Sequence, residues 1–179
     1  MTDRDPAHLH PLALDAWERL RAAAASRLGL TLDLIETWRD GAAQEAAKAA
    51  GASKKGAGGS WHNVTYPTGK PASLALHCDP FPGPPVLGYG PKVLEWEGAV
   101  RFPVEFRPGR TPRPCTAAAL VLTAVGALGE ELGLTWGGRW DDPMDWLHFE
   151  LRVGTLSQVL AAMRASGDIL GLVPGRVRA

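Results

Sequence analysis

This sequence predicts an α+β fold on three observations. Helical and strand-like patterns are mixed without the regular alternation of a doubly wound sheet. Loops dense in glycine and proline keep the strand-like runs short. The chain has 179 residues, 45% hydrophobic and 21% charged, enough for one domain with a real core and too few for two comfortable ones. The expected architecture is a single compact domain over residues 1–179, with a small, mainly antiparallel sheet flanked by helices.

Leu12 to Leu28 reads as the first helix: Leu14, Trp17, Leu20 and Ala24 recur at helical spacing, alanines fill the gaps, and Gly29 ends it. Thr31 to Trp38 alternates enough for a strand, with Leu32, Leu34 and Ile35 apolar. Gly41 to Ala50 is a short alanine-rich helix stopped by Gly51, and Ser53 to Ser60 is a Gly/Lys/Ser loop. Ser73 to Cys78, short and mostly apolar, reads as a buried strand, and Asp79 to Pro91 is too rich in proline and glycine for regular structure. Ala117 to Leu132 is a helix so apolar all round that packing on several sides is expected. Thr135 to Trp140 is a Gly/Trp turn or short strand, Leu147 to Val153 a strand, and Leu156 to Ala165 a closing helix. No internal repeat and no low-complexity tail interrupts this order.

Lys plus Arg and Asp plus Glu number 19 each, so the net charge is zero and nothing points to nucleic acid or an anionic membrane. The basic stretch Arg107 to Arg113 is short and proline-rich, which suits a solvated loop. The two cysteines, Cys78 and Cys115, are too few for a disulfide framework or a thiolate zinc cage, and without a mark of export no bridge between them is expected. No apolar run is long enough to span a bilayer, and Met1 to His10 lacks the apolar core of a signal peptide. The expectation is synthesis in the cytoplasm without stable membrane association. A substrate outside the cell would then require another agent to let the protein out.

The chain has five histidines. His8 and His10 lie in a polar N-terminal segment and read as ordinary exposed residues. His62 follows a glycine-rich loop in Gly58-Gly59-Ser60-Trp61-His62-Asn63. His77 sits in the apolar run Ser73-Leu74-Ala75-Leu76-His77-Cys78, and His148 in Asp145-Trp146-Leu147-His148-Phe149. Singly, each is more often a structural histidine than a ligand. Together, with two of them entering expected strands, they point to a metal. Hydrolytic zinc takes His, Asp or Glu ligands and keeps one position open for water, with a carboxylate nearby as general base. Asp145, three residues before His148, stands at a spacing that suits such a carboxylate and suits a turn or cap equally well.

The stretch Leu132-Gly133-Leu134-Thr135-Trp136-Gly137-Gly138-Arg139-Trp140, followed by Asp145-Trp146-Leu147-His148-Phe149-Glu150, resembles the C-terminal signature of the zinc D-alanyl-D-alanine carboxypeptidase family. That family includes phage endolysins acting as L-alanyl-D-glutamate endopeptidases. Ser60-Trp61-His62-Asn63 resembles its Ser-x-His motif, and Ser73-Leu74-Ala75-Leu76-His77 falls where it has Gly/Ser-x-Ala-x-Asp. Thr37-Trp38-Arg39 with Gln44 resembles its Tyr/Trp-Arg segment followed by Gln. The likeness runs from about residue 30 to residue 151, and the Trp-Gly-Gly segment with its following His-Phe is its specific part.

Carried over residue by residue, the resemblance implies one zinc ion in a surface cleft, bound by His62 and His148. Asp145 would be the catalytic carboxylate. Arg39 would stabilise the developing oxyanion or hold a substrate carboxylate; a surface salt bridge at a strand end is its other reading. The family's second ligand is an aspartate, and this sequence has His77 at that register, with Pro80 at the expected distance behind it. Three histidines can hold zinc, so His77 is the expected middle ligand. Asp79, on the same face of a regular strand, is the competitor. The exchange leaves the zinc site one unit more positive, which favours deprotonation of bound water. Trp136, Trp140 and Trp146 would wall the cleft, with Trp136 contacting substrate, and Gly137-Gly138 would let a peptide approach the backbone.

The implied function is a zinc metallopeptidase that hydrolyses the stem peptide of bacterial peptidoglycan, as an endolysin cutting L-Ala–D-Glu after release through a holin. The runner-up is a D-Ala-D-Ala carboxypeptidase or dipeptidase on the same scaffold. A rival of another kind is a non-catalytic wall-binding or phage structural protein that kept the fold.

Overall fold

The computed structural model describes residues 3–51, 53–80, 104–105, 113–114, 116–141 and 145–173. In chain order these form α1 (Pro11–Ala23), β1 (Asp33–Glu36), α2 (Gly41–Ala49), β2 (Ala75–Asp79), β3 (Val104–Glu105), β4 (Arg113–Pro114), α3 (Thr116–Glu131), β5 (Thr135–Trp136), β6 (His148–Glu150) and α4 (Leu156–Ser166). The main sheet is antiparallel in the order β1-β2-β6-β5, and β3 pairs with β4 in a separate ladder. The fold is α+β, as the mixed patterning predicts. Among the described residues no helix is long and apolar enough to cross a membrane.

The helices begin and end on side-chain and glycine caps. Pro11 takes the first position of α1, and His10 Nδ1 accepts from the Leu12 N–H at 3.2 Å. His10 is therefore a buried cap stacked on Tyr66, not the exposed residue its polar neighbours suggest. The helix runs on into a π-helical turn, Ala24–Leu28, and stops at Gly29 with φ 67°. Asp40 caps α2 through Ala43, and Thr155 and Gln158 form a capping box on α4.

The strands are shorter than the sequence predicts. The Thr31 to Trp38 strand contracts to Asp33–Glu36, and Leu147 to Val153 to His148–Glu150, because the ladder ends where β2 ends as a partner. Ser73 stays outside β2 because its Oγ accepts from the Ala75 N–H at 3.2 Å. Asp79, expected in an irregular stretch, closes β2 instead. The rest of that stretch from residue 81, most of Arg107 to Arg113, and Cys115 lie outside the described residues. Cys78 is buried and free.

Register gives the sheet two different faces, since directly opposed residues share a face. Leu76, Phe149 and Trp136 form one row across β2, β6 and β5, all buried. A Cβ at Gly126 would lie 2.2 Å from the Trp136 ring, and one at Gly129 would lie 2.4 Å from Phe149. These two glycines let the backbone of α3 rest directly on the aromatic row. Beyond this row the helix meets α1, β4 and the π-helical turn, with Leu122, Val125 and Leu128 buried and Leu120 68% exposed.

The opposite face carries the row Glu36, His77 and His148 across β1, β2 and β6. β1 reaches it through an irregularity. Leu34 stands opposite Cys78 and Glu36 opposite His77, so Ile35 and Glu36 together answer one step of β2. An extra residue of this kind is a bulge, and it turns Glu36, rather than Ile35, toward His77.

Candidate metal centre

Two of the histidines are neighbours by register, His77 on β2 and His148 on β6. The third arrives from the 3-10 turn Trp61–Asn63, which opens where Ser60 Oγ accepts from the His62 N–H at 3.3 Å. Backbone and side chain strap this turn to the sheet. The Arg39 N–H donates to the His62 carbonyl, the Leu74 N–H to the Trp61 carbonyl, and Asn63 Nδ2 to the Arg39 carbonyl. His62, His77 and His148 are all buried, and their ligand atoms lie within 4.8 Å of one another.

A neutral imidazole has one N–H to donate and one lone pair to offer a metal. In each ring one nitrogen is already occupied. His62 Nδ1 donates to the Thr37 carbonyl at 2.5 Å, His77 Nδ1 to Glu36 Oε2 at 2.5 Å, and His148 Nε2 to Glu150 Oε2 at 3.0 Å. The remaining nitrogens converge: His148 Nδ1 is 3.0 Å from His77 Nε2 and 3.4 Å from His62 Nε2. Around tetrahedral zinc, with Zn–N bonds of about 2.0–2.1 Å, ligand nitrogens stand about 3.3 Å apart. The donor set and its spacing fit such an ion.

Asp145 Oδ2 lies 3.2 Å from His77 Nε2, and Oδ1 accepts from the Leu147 N–H at 3.3 Å. One oxygen of Asp145 thus makes the turn, and the other faces the three histidines. Asp79 is buried on the His77 face by strand alternation, but among the described residues it does not join the converging set.

The charges around the trio are unequal. Burial alone would lower the His77 pKa, but Asp145 and Glu36 on its two nitrogens outweigh it and raise the value to about 9. Burial likewise resists ionisation of Asp145, and His77 overcomes it, holding the carboxyl at about 2. Glu36 is held well below the usual carboxylate range, against burial, by His77 first and then by His62 and Arg39. Burial and the neighbouring His77 push His62 well down, so it is neutral at pH 7. Glu150 is lowered by His148 and Arg152 against the effect of burial. Three carboxylates therefore surround three imidazoles, which is a setting made for a cation. By contrast, burial pushes the Cys78 thiol up and leaves it inert.

Several expected roles change in place. Arg39 is not a surface cation: Nε donates to Glu36 Oε1 at 2.5 Å, Nη2 to Glu36 Oε2, and Nη1 to Gln44 Oε1 at 3.4 Å, all buried. It does make a salt bridge, but behind His77, where the His62 turn covers the end of β1. Trp136 is not a cleft wall. Its register opposite Phe149 sends it to the core face, where Nε1 donates to the Trp146 carbonyl at 2.9 Å and the two indoles pack edge to face. Trp140 is the indole beside the site, its ring 4.8 Å from that of His148. The two glycines do not leave room for substrate. A Cβ at Gly137 would lie 2.6 Å from the Asp145 carbonyl, and one at Gly138 would lie 2.2 Å from the Trp136 ring.

Glu36 and Glu150 do not stand out in the sequence. Period-two alternation from His148 places Glu150 on the same face, a signal the sequence carries. No such signal marks Glu36, because regular alternation from Leu34 would send it to the core.

Residues 91–151 match the model of a family described as D-alanyl-D-alanine carboxypeptidase, a segment that contains Trp136, Asp145 and His148. Among solved structures, the L-Ala D-Glu endopeptidase ChiX of Serratia marcescens is similar at 17% identity, with a TM-score of 0.47, over 89% of this chain and 92% of that one. No curated protein matches the sequence. Over this segment, which carries the signature residues, the chain is similar to the D-alanyl-D-alanine carboxypeptidase family.

Proposed function

We propose that this chain is a zinc peptidase that hydrolyses the stem peptide of bacterial peptidoglycan at the L-Ala–D-Glu bond. The observation that carries the reading is the convergence of His62 Nε2, His77 Nε2 and His148 Nδ1, each on a ring whose other nitrogen is already held. These residues would hold the ion. When bound, zinc supplies Lewis acidity toward the scissile carbonyl and the attacking water. The chain's own residues do the rest. Asp145, ionised at neutral pH, accepts the water proton at Oδ2 and returns it to the leaving amine. Its other oxygen, anchored on the Leu147 N–H, keeps Oδ2 aimed at the reacting atoms. Trp140 covers the His148 ring.

Arg39 favours an internal bond over a terminal one. A carboxypeptidase must grip the C-terminal carboxylate of its substrate, and a guanidinium fork is the usual means. In this chain Glu36 occupies that fork and neutralises its charge. An endolysin role, with a holin opening the way to the wall, is the setting that accompanies L-alanyl-D-glutamate endopeptidases in this family.

Purified peptidoglycan digested with and without a chelator, and read by mass spectrometry, tests the reading. New L-Ala C-termini are expected, lost with the chelator and restored by zinc, from a protein holding about one zinc per chain. Free D-Ala would establish the carboxypeptidase instead. A metal-free preparation that cuts at full rate would remove zinc from the account, and wall binding without cutting would leave a non-catalytic protein.

A further inference from the structure

We infer that Glu36, clamped by Arg39, is a positioning residue for the metal: it fixes His77 as a ligand and supplies negative charge that three neutral imidazoles do not bring. This deepens the zinc reading above and rests on it.

The bulge in β1 is the first observation. It brings Glu36 opposite His77 at a position where an unbroken strand would put Ile35. The second is the bond itself. Glu36 Oε2, 2.5 Å from His77 Nδ1, accepts its proton and turns Nε2 toward Asp145 and His148, where an ion would sit. The third is the way the carboxylate is held. Arg39 grips both oxygens from Nε and Nη2, so Glu36 cannot swing round the ring toward the ion. Arg39 is backed in turn by Gln44, whose Nε2 donates to Ser53 Oγ at 2.9 Å and to the Lys55 carbonyl at 2.7 Å. A chain of bonds thus runs from the 53–55 loop through the buried Gln44, Arg39 and Glu36 to Nδ1 of His77, the nitrogen opposite the ligand atom.

This arrangement couples positions 36 and 77. With histidine at 77, the charge of Glu36 steadies the ligand. With aspartate at 77 there is no ring N–H for Glu36 to accept, so its orienting bond is gone. Removing the charge at 36 should therefore weaken zinc binding more in the first case than in the second. A Glu36 that served only as a salt-bridge partner for Arg39 would cost the same in both.

The test measures zinc affinity by competition with a chromophoric chelator for the unaltered protein, E36Q, H77D, H77D/E36Q and H148A. The visible spectrum of the cobalt(II) form reports the coordination geometry. E36Q should bind zinc about 10–100-fold more weakly, with an altered cobalt spectrum. H77D/E36Q should bind within a few-fold of H77D. Equal affinity of E36Q and the unaltered protein, with loss in H148A, would overturn the role of Glu36 and leave the metal centre standing. No zinc in the unaltered protein would overturn both. Equal E36Q losses in the two backgrounds would refute the coupling. If E36Q is too unstable to assay, E36D, which keeps the charge but shortens the reach to Nδ1, should lose zinc affinity, and unchanged affinity there would refute the positioning role.

Discussion

His77 and His148 face each other across β2 and β6, and each leans on a carboxylate that leans on an arginine. Behind His77, the Glu36 and Arg39 side chains are 5% and 8% exposed and joined through both carboxylate oxygens. Behind His148, Glu150 is 2% exposed, but its partner Arg152 is 51% exposed and reaches it through Nε alone. The chemistry of the two supports is the same, and their surroundings are not. Water screens a half-exposed pair and replaces a lost partner, whereas it cannot replace Arg39 beside the buried Glu36, which would keep His77 alone of its two hydrogen-bonded cations. One side of the histidine cluster is therefore held rigidly, and the other is open to adjustment from solvent.

The largest expected effect comes from Arg39→Ala, which removes the fork on both oxygens of the buried Glu36 and leaves it to His77. It should destabilise the fold by about 3–5 kcal/mol, read from denaturant unfolding. Arg39→Lys keeps the charge but not the fork and should recover only part of the loss. An Arg39→Ala protein as stable as the unaltered one would break the comparison at its root.

Asp145 sharpens the comparison on a single ring, because His77 has one carboxylate behind it and one in front. In the proposed mechanism the one behind holds and the one in front works. Asp145→Asn should keep zinc and fold while cutting the hydrolysis rate roughly 100-fold or more. Retained activity in a peptidoglycan assay would confine Asp145 to its turn.

The parts of this site that are legible in the sequence are those that depend on residue type. A histidine in an apolar run such as Ser73 to Cys78, or three residues after an aspartate, stands out because such side chains need a partner there. Strand alternation carries Phe149 to the core and His148 with Glu150 to the site. What depends on register is not legible. The bulge that turns Glu36 to His77 leaves no mark in composition, since Ile35 and Glu36 read as ordinary strand residues. Trp136 and Trp140 look alike in sequence, yet the 3-10 turn Gly137–Arg139 between them breaks the period and sends one to the core and one to His148. His10 is a cap packed on Tyr66, a contact between residues too far apart in the chain for local pattern to show.

Protons distinguish the buried side further. His77, with its pKa raised to about 9, carries a proton between Glu36 and Asp145 at neutral pH in the metal-free protein. Zinc needs the Nε2 lone pair, so binding must expel that proton. At pH 7 about one proton should be released per zinc, seen as a buffer-dependent heat in calorimetry, and the release should vanish above pH 9. Apparent affinity should fall about tenfold per unit as pH drops below that point. The same shift stabilises the metal-free fold: the contribution is fully present below the ordinary value of 6.5 and is lost as pH rises through about 9. Asp145 works in the opposite sense, its contribution present above the ordinary 3.8 and lost as pH falls through about 2. Zinc binding at pH 7 with no proton release would show that His77 is not the protonated ring.

The smallest effect is expected on the open side, from Arg152→Ala. Arg152 touches Glu150 with a side chain that is half in water, so the bond it makes competes with hydration and is screened by salt. Its removal should cost less than about 1 kcal/mol in unfolding, and the cost should shrink further at high ionic strength. Glu150 keeps its bond to His148 Nε2 in that variant, so the ligand ring stays oriented and zinc affinity should change only a few-fold. Glu150→Gln removes the charge that the ring leans on and should weaken zinc binding more than Arg152→Ala does. The ratio between these two variants is the sharpest measure of the contrast. If Arg152→Ala weakened zinc as much as Glu150→Gln, the half-exposed arginine would be steadying its carboxylate as firmly as Arg39 steadies Glu36, and burial would not be what separates the two sides of the site.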